Sequence, residues 1–129
     1  MDEYISVSGL EGLQDIFAEV KQSPLKVFWG APYKTPYTIP QSTVAYNFTK
    51  ETHREVQQWP ECFGVWETVR EFLQEEDENT LGAIAEAAKN RLPVFGCAPM
   101  AMGNDLNGYL CGGVRLDHES YTHEEVVEK

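Results

Sequence analysis

Apolar positions recur at helical spacing in "GLEGLQDIFAEVKQ", where Leu10, Leu13, Ile16, Phe17 and Val20 share one stripe. Pro24 closes that helix, and "LKVFWGAP" follows as a short apolar run ending in a turn, the pattern of a buried strand. The stretch from Tyr33 to Asn47 is punctuated by prolines and has no period, which predicts a long loop. A short helix is expected over residues 51–58, ahead of Trp59-Pro60, and then "CFGVWET" forms a second apolar run with Glu67 at its far end. "VREFLQ" reads as helical, and "NTLGAIAEAAKNR" places Leu81, Ile84, Ala85 and Ala88 on one helical face. "LPVFGCAP" is a third apolar run. "GNDLNGYLCGG" then offers Asn104 as a helix cap, Leu106 and Leu110 on one face, and Gly112-Gly113 as a stop. "GVRLDHE" is the fourth run, and Thr122 with Glu125 has capping-box spacing at the head of a last helix.

Short apolar runs alternating with amphipathic helices define an α/β chain, because parallel strands must be joined by crossovers that are usually helical. Strands are expected at 25–30, 62–67, 92–97 and 112–117, giving about four βα units around a parallel sheet within a single domain, residues 1–129.

The 129 residues carry a formal net charge of -11, so the phosphates of nucleic acid would be repelled. Much of that charge falls in Glu75-Glu76-Asp77-Glu78 and in Glu124, Glu125 and Glu128, runs of the kind that usually form solvated faces. Without an 18-residue apolar stretch or a basic, apolar leader at "MDEYISVSG", the expected setting is the cytoplasm, away from the membrane. Cys62, Cys97 and Cys111 are odd in number and widely spaced, which argues against a disulfide framework.

In parallel α/β folds the site forms beyond the C-terminal ends of the strands, where loops and helix N-termini converge. Here the second run ends at Trp66-Glu67, the third at Gly96-Cys97-Ala98-Pro99 and the fourth at Asp117-His118-Glu119. Glu67, Asp117 and Glu119 are therefore the candidate catalytic carboxylates, and Glu67, His118 and Cys97 the candidate ligands for a divalent metal (Mn, Fe or Zn) that would acidify a bound water. Each also has a plainer reading. Glu67 could cap a helix, Cys97 could be a small buried hydrophobe, and His118 could be a surface imidazole, with Asp117 and Glu119 serving the dipole of the last helix. His53 and His123 are read as structural or surface residues.

The segment "FGCAPMAMGNDLNGYLCGGVRLDHESYTHEEVVEK" resembles the bacterial and archaeal adenine deaminases of the amidohydrolase superfamily, most specifically in "DLNGYLCGGVRLDHES". "GLEGL", "SPLKVFWGAPYKTP" and "FGVWET" extend the likeness in the same order. The resemblance implies half of a TIM-type (β/α)8 barrel and, for the family, a binuclear metal centre that uses water to convert adenine to hypoxanthine and ammonia. By position, Glu67 corresponds to a strand-end glutamate ligand and His118 to a metal-binding histidine. Cys97 stands where the family has a histidine before Ala-Pro, and neither the family's His-x-His nor its late aspartate has a counterpart in these residues.

A whole barrel needs about 250 residues, so a weak or inactive deaminase-like segment is the expected outcome for this chain alone. A non-catalytic half-barrel that pairs with a second copy is the alternative, since four units leave two sheet edges open. An open flavodoxin-like sheet is a third possibility, although no GxGxxG, P-loop or nucleophile elbow is present. If a purine binds, Tyr33, Tyr37 and Tyr46 in the long loop are candidates to stack on it.

Overall fold

The second strand organises the molecule. In the computed structural model, which describes residues 2–38 and 40–129, β2 (Cys62–Val69) pairs in parallel with β1 (Trp29–Pro32) on one side and β3 (Val94–Cys97) on the other. β4 (Leu116–Asp117) pairs in parallel with β3, so the order is β1-β2-β3-β4. This sequential parallel order is that of consecutive βα units in a barrel wall. The helices are α1 (Asp2–Val20), α2 (Lys50–Val56), α3 (Arg70–Gln74), α4 (Glu78–Asn90), α5 (Gly103–Cys111) and α6 (His123–Glu128).

One sheet face is covered. Ile5, Leu13 and Phe17 of α1 bury Trp29, Ala31 and Cys62 together with Phe48 and Val56. Across the rest of the sheet, Ala83, Ile84 and Ala87 of α4 and Leu106 and Tyr109 of α5 cover Val65, Val94 and Val114. Burying each large apolar side chain contributes roughly 1.5–3 kcal/mol. Phe63, packed against Phe95, and Leu116, paired with Phe95, lie on the other face, where both are exposed. An irregularity in the β1–β2 register leaves Phe63 there although Val65, two residues on, is buried.

Several boundaries differ from the sequence reading. β1 begins at Trp29, not at residue 25, because pairing with β2 starts at Trp29–Cys62. Leu25, Val27 and Phe28 precede that pairing and are exposed, Phe28 at 73%. α4 is also rotated from its expected face: Thr80, Ala83, Ile84 and Ala87 are buried, whereas Leu81 is 41% exposed. Small residues on the inner face let α4 approach the sheet and α2 closely, and a Cβ on Gly82 would already strike Lys50. α5 is capped at Met102 instead of Asn104, and Leu110 points outward.

Two polar anchors were not legible as such. Asp77 caps α4, accepting from the Thr80 N–H at 2.8 Å, and also receives the buried Lys34 ammonium at 2.8 Å. His53 is wholly buried (0% exposed). Its Nε2–H donates to the Tyr33 carbonyl (3.2 Å) and its Nδ1 accepts from Gln57 (3.0 Å), a pattern that needs the neutral ring.

Candidate active site

β2 contains one residue too many for its neighbour. Val65 pairs with Val94 and Thr68 with Gly96, so three steps on β2 face two on β3. The extra residue is absorbed as a bulge at Trp66-Glu67, with Glu67 in the left-handed region at φ 43°. A regular strand would send these neighbours to opposite faces. The bulge sends both to His118: the Trp66 ring stacks on the imidazole (5.5 Å between centroids, 14° between planes), and Glu67 Oε1 lies 3.2 Å from His118 Nε2.

His118 itself leans back across β3. Its Nδ1 is 2.8 Å from the Gly96 carbonyl, an atom that can only accept, so Nδ1 carries a proton. In the neutral ring Nε2 then presents its lone pair to the Glu67 carboxylate. Two electron-rich atoms at that separation need a cation between them, either a proton or a metal. An imidazole oriented through a backbone carbonyl is also the usual outer support of a histidine ligand.

The Cys97 thiol donates to Glu119 Oε2 at 3.1 Å. Burial pushes this thiol up to about 12, aided by the bond to Glu119 and by the charges of Glu119, Glu67 and Asp117. Ligand atoms of Cys97, His118 and Glu119 all lie within 4.8 Å of one another, the one such cluster found among the described residues. This donor set fits a divalent cation, which would lower the cost of a thiolate among carboxylates.

Asp117 is engaged elsewhere. Its Oδ1 accepts from the Ala98 N–H (2.9 Å) and its Oδ2 from Lys129 Nζ (2.5 Å). The carbonyls of Ala98 and Glu119 and Glu125 Oε1 also lie 2.7 Å from Lys129 Nζ, so its three N–H groups are shared among four acceptors. Glu125, only 1% exposed, accepts from the N–H groups of Met100 (2.6 Å) and Tyr121 (2.9 Å). The Lys129 bond, then the Tyr121 N–H, hold its carboxyl at about 2 against the effect of burial. Thr122 caps α6 as its spacing predicts, accepting from the Glu125 N–H, but the Glu125 carboxylate is spent on the Lys129 network. The sequence signal for that network was only the Glu125–Lys129 helical spacing.

Each loop tyrosine has a partner, although Tyr46 is 51% exposed. Tyr33 is buried against Phe72, the Tyr37 hydroxyl bonds Glu3, and the Tyr46 ring covers Gly9. Aromatic surface beside Glu67 comes instead from Phe28, Phe63 and Trp66, which with Val27 and Gly30 line an open cleft of about 500 Å³. His123 is exposed, and all three cysteines are free.

Fold and site together define a chain of barrel-type βα units with a carboxylate–imidazole pair towards the C-terminal side of its sheet. The particular likeness is to adenine deaminases, and it runs the whole length of the chain. Over all 129 residues it is 81% identical to adenine deaminase 1 of Desulfotalea psychrophila, 58% to adenine deaminase 4 of Rhizobium meliloti and 56% to adenine deaminase 1 of Latilactobacillus sakei. The chain spans 22% of the length of each of these relatives. No protein-family model matches the chain.

Proposed function

We propose that this chain supplies part of the metal-binding rim of an adenine deaminase, whose reaction adds water at C6 of adenine and releases ammonia to leave hypoxanthine. The observation that carries the reading is the Glu67–His118 pair at 3.2 Å with Nδ1 of His118 tied to Gly96. Glu67 and His118 would hold a divalent ion, with Cys97 and Glu119 beside them, and the ion when bound would lower the pKa of a coordinated water. Trp66 fixes the imidazole plane. Phe28, Phe63 and Trp66 give a flat heterocycle apolar faces to stack against, next to the Glu67 carboxylate. Glu119 Oε2 holds the Cys97 proton in the metal-free site and is the carboxylate placed to take it. Asp117 acts on the loop, through Ala98 and Lys129, instead of on substrate.

Purified chain loaded with Mn, Fe or Zn tests this by elemental analysis beside an ammonia-release assay with adenine. Stoichiometric metal that is lost in His118→Ala and weakened in Glu67→Gln is expected, with little or no ammonia released by the chain alone. Protein that takes up no metal overturns the reading.

A second reading is favoured by the uncovered sheet face. Phe28, Phe63 and Leu116 are exposed there, and β1 and β4 are open parallel edges. In this reading the chain is a half-barrel module, and two copies pair edge to edge to bury that face. A stable monomer by sedimentation at micromolar concentration excludes it.

A further inference from the structure

The bulge that turns Glu67 towards His118 is held from behind the sheet by a residue on α5. Tyr109 is buried, and its hydroxyl sits between two strands. It donates to the Thr68 carbonyl of β2 and accepts from the Cys97 N–H of β3 at 3.0 Å. Thr68 immediately follows Glu67, and Cys97 is the residue whose thiol meets Glu119. One phenol therefore grips both strands at the place where their register slips.

The surrounding sequence is shaped to admit it. A Cβ on Gly96 would run into the Tyr109 hydroxyl and would also lie 2.8 Å from a Tyr109 ring carbon and from Val114 Cγ1. Glycine at 96 thus leaves the gap that the phenol fills, and the same glycine's carbonyl orients His118. Glu67 at φ 43° is a conformation that a glutamate keeps only when its neighbours enforce it. The Tyr109 bond to the next carbonyl is a direct restraint of that kind.

We infer that Tyr109 is a positioning residue: its hydroxyl fixes the β2 bulge, and through it the approach of Glu67 and Trp66 to His118. Its role in metal binding rests on the reading of Glu67 and His118 as ligands. Its role in geometry does not.

Tyr109→Phe keeps the ring and deletes the hydroxyl. In the metal-free chain, the ring protons of His118 are shielded by the Trp66 face, so their NMR resonances report the stack. Tyr109→Phe is expected to move them downfield, towards an unstacked imidazole, while the fold persists by circular dichroism. Affinity for Co²⁺ alone is expected to fall by about tenfold or more, the scale of losses when an outer support of a ligand is removed. His118 resonances unchanged in folded Tyr109→Phe overturn the inference. If that variant does not fold, amide exchange in the unmodified chain decides: a protected Cys97 N–H supports the bond to Tyr109, and an unprotected one overturns it. Unmodified chain that binds no Co²⁺ would overturn the proposed function, leaving the His118 resonances to judge Tyr109.

Discussion

Glu67 Oε1 and His118 Nε2 meet at 3.2 Å although β3 lies between their strands. His118 reaches over β3, fixed by the Gly96 carbonyl, and Glu67 is brought to it by an irregularity of β2. The contact thus depends on a departure from ideal strand geometry, and that dependence can be tested from both ends.

Glu67→Gly should make the chain more stable and a poorer metal binder. A non-glycine residue at φ 43° carries about 1 kcal/mol or more of strain, which glycine relieves. A rise of a few degrees in Tm by calorimetry, beside a loss of metal affinity by titration larger than that of Tyr109→Phe, is the expected pairing. A variant that melts lower would show the bulge to be unstrained.

Gly96→Ala should destabilise by roughly 1–3 kcal/mol in urea melts, because the added methyl meets the Tyr109 ring and Val114 in a packed interior. Gly108→Ala on the same helix as Tyr109 meets nothing within 4 Å and is the control, with a near-neutral or stabilising effect. Equal losses at both positions would count against the packing described.

Stability should fall as pH drops through the histidine range. Burial holds His53 down to about 4 against an ordinary value of 6.5, so between those values the unfolded chain binds a proton that the folded chain refuses. The sign follows: folding stability rises with pH across that window and is lost on going down through it, by on the order of 3 kcal/mol in all. Urea melts of the native chain and of His53→Gln at pH 7 and pH 4.5 measure the difference. A slope that persists undiminished in the variant would assign it to other groups.

Glu125 acts in a lower window. With its carboxyl held at about 2, its contribution is present above the ordinary value of 4.5 and is lost as pH falls from there towards 2. Lys129→Ala removes the principal cause. Amide exchange of Met100 and Tyr121, whose N–H groups bond Glu125, should then accelerate at neutral pH, and unchanged exchange would show the network to be dispensable.

Asp77→Ala should cost roughly 3 kcal/mol, more than a lost helix cap alone, because it also strands the buried Lys34 ammonium. Asp77→Ala combined with Lys34→Met should recover part of that loss in the same melts. No recovery would mean that Lys34 contributes nothing through its charge.

The chain's local patterns were sufficient for the element order, the parallel α/β class and the placing of Cys97 and His118 at strand ends, whereas Glu67, expected to end its strand, lies in a bulge within β2, which continues to Val69. Apolar runs, capping residues and turn formers act between near neighbours, so they can be read along the sequence. The face of α4 does not follow from its pattern, since Leu81 and Ala83 are both apolar and only the close approach of the helix to the sheet selects the smaller residue. Tertiary structure alone decided that Trp66 and Glu67 share a face, that Tyr109 bridges Thr68 and Cys97, and that Lys129 draws Asp117 away from the pair. A bulge breaks the two-residue period on which strand reading rests, and hydrogen bonds between residues far apart in the chain leave no periodic trace. The sequence determined which groups stand at the strand ends; packing across the sheet decided which of them meet.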